Sequence, residues 1–197
     1  YLNKIDFMIN IVLFGKPGAG KGTQANFLKK KYSLIHISTG DLFRYNIKNK
    51  TELGKLAKSF MDKGDLVPDK VTIKMLEEEV KRNTNAKGFL FDGFPRTKSQ
   101  AEALDDFLDK NKMEISATIS LEANNNVLIK RLLERGKSSG RIDDQNESKI
   151  INRFKEYNEK TAPLKAYYND QNKFYTVSGI GSIDIITNRL VEVIDSL

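Results

Sequence analysis

The chain has 197 residues, enough for one domain with a substantial core. It carries 33 Lys and Arg against 26 Asp and Glu, a net charge of +7 with scattered lysines, which reads as a basic coat and not as a nucleic-acid footprint. The absence of cysteine excludes disulfides, Cys-ligated zinc and thiol catalysis, and no apolar run approaches the roughly 18 residues of a membrane span.

The opening YLNKIDFM lacks the apolar centre of a signal peptide. Tyr1 marks a cut chain or an extension, with Met8 a candidate start. The apolar run at 9–14 predicts a strand, and GKPGAGKGTQ (15–24) then leads into a helix over 21–31. Gly15, Gly18, Gly20 and Gly22 allow backbone conformations closed to other residues, so N–H groups converge on an anion. The helix adds the positive end of its dipole, and Lys21 a mobile charge for the outer phosphates of a polyphosphate. A dinucleotide fingerprint is begun by Gly18 and Gly20 but fails at Thr23. The general phosphate loop also departs: Gly22 stands where a hydroxyl residue usually binds magnesium, and Thr23 follows one later.

A strand at 34–37 holds the only histidine, His36, read as strand-end or core packing. Helices at 39–48 and 52–62 follow without a strand between them, which marks 38–67 as an insertion. After a helix at 69–81, the strand FLFD (89–92) has a sheet core of Phe89, Leu90 and Phe91. It ends on Asp92, a carboxylate that could reach magnesium through water or merely cap a turn. Ser99 with Glu102 predicts a capping box for a helix at 99–110. A strand at 115–121 leads to a helix at 124–135, with Asn124 as its cap and Gly136 as its end. A polar segment, GKSSGRIDDQ, separates that helix from a longer one at 146–168, on which Tyr157, Tyr167 and Tyr168 are read as packing. A strand at 173–178 and a helix at 182–196 complete the chain. Strands alternating with helices predict an α/β fold whose parallel sheet is covered on both faces, with both insertions at its edge.

Arg131 and Arg135 lie four apart on one helical face, where like charges destabilise a bare helix by a few tenths of a kcal/mol. Arg141 follows in the polar segment and Arg153 on the next helix. Four guanidinium groups beside a phosphate loop point to a shared anion.

The form G-x-P-G-x-G-K-G-T resembles the loop of adenylate kinases and close nucleoside monophosphate kinases. STGDLFR (38–44), GDLVP (64–68), GFLFDGFPRTKSQ (88–100), RLLERG (131–136), SGRIDD (139–144) and NRFKEY (152–157) follow in the family's order, so the resemblance runs from about residue 9 to the end. It implies a P-loop kinase with a five-stranded parallel sheet, a single domain over 1–197. Within it, 38–67 would be the AMP-binding insertion and 135–145 a short lid without a zinc knuckle. By resemblance, Gly18, Ala19, Gly20, Lys21, Gly22, Thr23, Arg131, Arg135 and Gly181 surround ATP. Thr39, Arg44, Asp65, Leu66, Val67, Gly93, Phe94, Pro95, Arg96, Gln100, Arg141 and Arg153 surround AMP, with Gln100 matching adenine through paired donor and acceptor atoms. Catalysis would fall to Lys21, Arg96, Arg131, Arg135, Arg141 and Arg153. Arg153 lies one residue further from Arg141 than in many short-lid relatives, and Asn152 is the ungapped alternative.

The implied reaction is MgATP + AMP ⇌ 2 ADP, with Mg2+ carried by ATP, no direct protein ligand for it and no zinc. The partners would be ATP, AMP and ADP, without nucleic acid or membrane, in a cytoplasmic monomer. A UMP/CMP kinase is the near rival, although those relatives commonly carry Ala and Asn where Thr39 and Gln100 stand. A non-catalytic P-loop module is a further one. A guanine-reading N-K-x-D is absent: NKMEIS, from 111, lacks the aspartate.

Overall fold

A computed structural model describes residues 8–197, so the reading of residues 1–7 lies outside it. Five parallel strands form one sheet: β1 (Ile11–Phe14), β2 (Ile35–Ser38), β3 (Phe89–Asp92), β4 (Ala117–Glu122) and β5 (Phe174–Ser178), in the order β2-β3-β1-β4-β5. Central β1 is buried throughout and pairs Ile11 with Leu90 of β3 and with Ala117 of β4. Such apolar strands, covered on both faces, are what parallel sheets require. Just before β1, the buried Asn10 side chain donates to the Glu114 carbonyl (2.8 Å) and accepts from Phe89 N (3.0 Å), tying the three central strands at their amino ends.

The helices are α1 (Lys21–Tyr32), α2 (Thr39–Lys48), α3 (Glu52–Met61), α4 (Asp69–Arg82), α5 (Lys98–Lys110), α6 (Asn125–Ser139), α7 (Glu147–Glu156), α8 (Leu164–Asn169) and α9 (Ile183–Asp195). One sheet face packs with Leu28, Leu132 and Leu190 of α1, α6 and α9. The other packs with Leu76, Leu104 and Tyr168 of α4, α5 and α8. A small third core of Phe43, Ala57 and Val67 holds the segment after edge strand β2 together. The second expected insertion lies in the crossover from β4 to the other edge strand, β5.

Three local expectations are corrected. Helix α5 is capped by Thr97, whose Oγ1 accepts from Gln100 N, so Ser99 and Glu102 form no capping box. Asn124 does cap α6, accepting from Val127 N. That helix, however, runs past Gly136 and ends at Gly140, the left-handed residue with φ of 67°. Gly136 is buried for another reason: a Cβ there would lie 2.7 Å from the Asp144 carbonyl oxygen, so it admits the 3₁₀ turn Ile142–Asp144 against the helix. The helix expected over 146–168 is broken into α7, a π-helical turn at Tyr157–Thr161, and α8 after Pro163. Among the described residues no helix is long and apolar enough to cross a membrane.

Candidate active site

β1 delivers the chain to the carboxyl edge of the sheet, beside the point where connections switch from β3 on one side to β4 on the other. In open α/β sheets ligands sit at such a switch. Gly15, Gly18 and Gly20 take φ of 137°, 83° and 98°, which a side chain would resist. Gly22 does not, and the expectation for it is corrected: it is already helical, with a virtual Cβ 3.7 Å from Asp92 Oδ2. Ala19 is buried in the core and also borders the cleft. Lys21 folds back over the loop, its Nζ donating to the carbonyls of Gly15 (2.6 Å) and Lys16 (3.3 Å). Burial lowers its pKa to about 8, with Asp92 opposing the shift and Arg96 adding to it.

Asp92 closes β3, in register with Leu13 and Ser38. Burial works to raise its pKa, but His36, Lys21 and Arg96 outweigh that and hold the carboxyl below its ordinary value. His36 Nε2 lies 3.6 Å from Asp92 Oδ2, so the histidine read as packing faces the cleft instead. After β3, Gly93 carries two partners on its carbonyl: Thr39 Oγ1 at 2.8 Å and Arg96 Nε at 2.6 Å. Burial, with Arg153 nearby, lowers Arg96 to about 10. The Phe94 ring packs in the core, while Gly93, Pro95 and Arg96 border a neighbouring cavity.

The remaining arginines converge from α6 onward. Arg131 donates to the Gly179 carbonyl (3.1 Å). Arg135 forks onto Asp144 (2.6 and 3.0 Å), and Arg153 reaches Asp144 (2.6 Å) and Asp143 (3.0 Å). Asp144 is fully buried; burial would raise its pKa, but its two arginines hold it low. Arg141 meets Asp41 at 3.4 Å, and Asp41 also pairs with Arg44. Asn152 turns elsewhere, donating to the Lys63 carbonyl and to Asp65 Oδ1, both at 3.0 Å. The geometry therefore brings Arg153 to the cleft and leaves Asn152 bracing residues 63–65.

These groups enclose a cleft of about 700 Å³, bordered by Lys21, Thr23, Arg96, Arg131, Arg135, Arg141, Arg153 and Gly181. A cavity of about 110 Å³ adjoins it beside Arg44, Asp65 and Leu66. Another of about 40 Å³ is lined by Thr39, Val67 and Gln100 among others. The family model described as adenylate kinase matches residues 13–173. The adenylate kinase of Flavobacterium psychrophilum is 70% identical over 190 residues, 96% of this chain and 100% of the relative. Those of Flavobacterium johnsoniae and Parabacteroides distasonis are 66% and 46% identical over the same shares. The chain belongs to the adenylate kinase family.

As an adenylate kinase it is a nucleoside monophosphate kinase, a phosphotransferase. Its site also uses residues that sequence reasoning passed over. Gln24, in the quoted glycine motif, donates to the Ile183 carbonyl (3.1 Å) and accepts from Thr187 (2.7 Å), fixing α1 to the start of α9 next to Gly181. Tyr157 and Thr161, from the π-helical turn, border the cavity of about 110 Å³, and Thr161 Oγ1 donates to the Arg96 carbonyl (2.8 Å). Asp41 and Asp144 lie in quoted motifs, and their role as counter-charges to the arginines needed the third dimension.

Proposed function

We propose that the chain catalyses MgATP + AMP ⇌ 2 ADP, with ATP on the glycine loop, AMP against Gln100, and the transferred group between them. The carrying observation is the cation ring: Lys21, Arg96, Arg131, Arg135, Arg141 and Arg153 all border one cleft between the glycine loop and the pocket behind Gly93. Gly18, Ala19, Gly20, Lys21, Gly22 and Thr23 would hold the ATP phosphates, with Gly181 near its adenine. Thr39, Arg44, Asp65, Leu66, Val67 and the turn from Gly93 to Arg96 would hold AMP; Phe94 would contribute from the core side only.

An AMP phosphate oxygen attacks the terminal phosphorus of ATP as the bond to the bridging oxygen breaks, and ADP leaves on each side. With a second pKa near 6 that phosphate is mostly ionised at neutral pH, so no protein base has to take a proton. What the protein must supply is alignment and positive charge for a loose transition state. Arg44, Arg135, Arg141 and Arg153 are paired with Asp41, Asp143 and Asp144. Phosphates would share or displace those carboxylates, and residues 38–67 and 135–145 would close over the site to exclude water.

Magnesium arrives with ATP as part of the substrate. One carboxylate, Asp92, stands beside Gly22 and Lys21. That donor set suits an ion held mainly by phosphates and water, with Asp92 reaching it through a water molecule. Since one chain supplies every group of the site, the proposal is a monomer, working in the cytoplasm on its nucleotide pool.

Two measurements test this reading. Across AMP, UMP, CMP and GMP as acceptors, kcat/KM for AMP is expected to lead by about 10²-fold or more, as hydrogen-bonded recognition allows. A preferred pyrimidine would overturn the substrate assignment in favour of a UMP/CMP kinase. The second uses Lys21, which near pH 8 is half charged in the empty protein. Polyphosphate favours its charged form, so ATP binding at pH 8 should take up about half a proton, and almost none at pH 6.5. Calorimetry in two buffers of different ionisation enthalpy reads this directly. Equal heats at pH 8, or uptake that persists in Lys21→Met, would remove Lys21 from the phosphate site.

A further inference from the structure

We propose that Asp69 sets the base specificity of the acceptor site by locking the orientation of the Gln100 amide. This rests on the reading above, in which Gln100 faces the acceptor base. Gln100 is almost fully buried in the first turn of α5 and lines the small cavity with Thr39 and Val67. Its Oε1 accepts from Arg96 N at 2.8 Å, and its Nε2 donates to Asp69 Oδ1 at 2.8 Å. Asp69 opens α4, and its other oxygen accepts from Thr97 Oγ1 at 2.8 Å. Thr97 in turn accepts from Gln100 N at 3.2 Å. Asp69 does not line the cavity itself and acts through Gln100.

The two partners of the amide leave it no choice. A backbone N–H can only donate and an ionised carboxylate can only accept. Turning the amide over would set its NH₂ against Arg96 N–H and its oxygen against Asp69, losing both bonds and opposing like with like. One Oε1 lone pair and one Nε2 hydrogen remain for the ligand. Adenine presents an exocyclic amine donor beside a ring-nitrogen acceptor, which complements this pair. Hypoxanthine has the same shape with the pattern reversed, a carbonyl acceptor beside a ring N–H donor. It could be satisfied only by the turned amide. Arg96 N–H belongs to the backbone and stays under any side-chain change, so Asp69 is the half of the lock that substitution can open. As a positioning residue it touches neither nucleotide.

The test is the ratio of kcat/KM for AMP to that for IMP, measured with saturating MgATP. Asp69→Ala is expected to lower the ratio about tenfold or more, raising KM for AMP and leaving KM for ATP within about twofold. Asp69→Asn restores an acceptor oxygen toward Gln100 and is expected to keep the ratio within about threefold of the parent. A residue that only favours the positive end of α4 would lower the melting temperature in Asp69→Ala and leave the ratio unchanged, and that result would overturn the proposal. Gln100→Ala separates the two layers. If it abolishes the discrimination while Asp69→Ala does not, Asp69 alone is wrongly assigned. If Gln100→Ala itself leaves the ratio intact, Gln100 does not read the base and both readings fall. Should Asp69→Ala not fold, Asp69→Asn decides: a ratio reduced as far as that of Gln100→Ala would count against the lock.

Discussion

Replacing Lys21 by alanine is expected to lower kcat about 10³-fold, near 4 kcal/mol of transition-state stabilisation, with the fold intact. Lys21 opens α1 at the end of the loop on which ATP would rest, and its ammonium sits on the carbonyls of Gly15 and Lys16. Those are weak anchors compared with a terminal phosphoryl group, so the ammonium is free to follow charge as it shifts between nucleotides. The arginines cannot replace it, because they enter the cleft from other elements, after β3, on α6, beyond α6 and on α7, whereas Lys21 folds back over the loop itself. Folding should tolerate the change. Burial disfavours the charged lysine, and Asp92 keeps His36 and Arg96 nearby after Lys21 is gone. Coupled assay of ADP formation, with circular dichroism and melting of the same sample, checks both halves. Turnover within tenfold of the parent in a normally melting variant would refute the role.

The phosphate loop and the strand before it were legible because their physics is local. A buried parallel strand needs a continuous apolar run, and a loop that cradles an anion needs glycine at positions a few residues apart. β3 was read to its last residue for the same reason: FLFD changes from apolar to charged where the sheet meets the site. What failed was non-local. Gly136 looks like a helix end by itself, and only the approach of Asp144 shows that it serves packing. Ser99 and Glu102 have the spacing of a capping box, but Thr97 captured the first turn because its hydroxyl also reaches Asp69. The long helix over 146–168 contained its own warning in Pro163, and apolar periodicity hid the π-helical turn that aims Thr161 at Arg96. His36 looked apolar because its neighbours in sequence are; its neighbour in space is Asp92.

The choice between Arg153 and Asn152 shows the same limit, and it leads to the second large effect. Arg153→Ala is expected to reduce kcat/KM about 10³-fold, within the range for an arginine that stabilises phosphoryl transfer. Asn152→Ala should cost only a few-fold, mostly in KM for AMP, since its side chain bridges Lys63 and Asp65 at the proposed acceptor pocket. Alanine at 153 also removes one of the two arginines on fully buried Asp144, so part of the loss could come from a weakened fold. Arg153→Lys separates these causes. It keeps a positive charge beside Asp143 and Asp144 and should melt near the parent temperature. It loses the planar fork that meets a phosphoryl group through two bonds, so about 10²-fold of the loss should persist. Steady-state kinetics and thermal melting of the three variants read the result. A crippled Asn152→Ala beside a healthy Arg153→Ala would move the site one residue back along α7 and reverse the assignment made from the geometry.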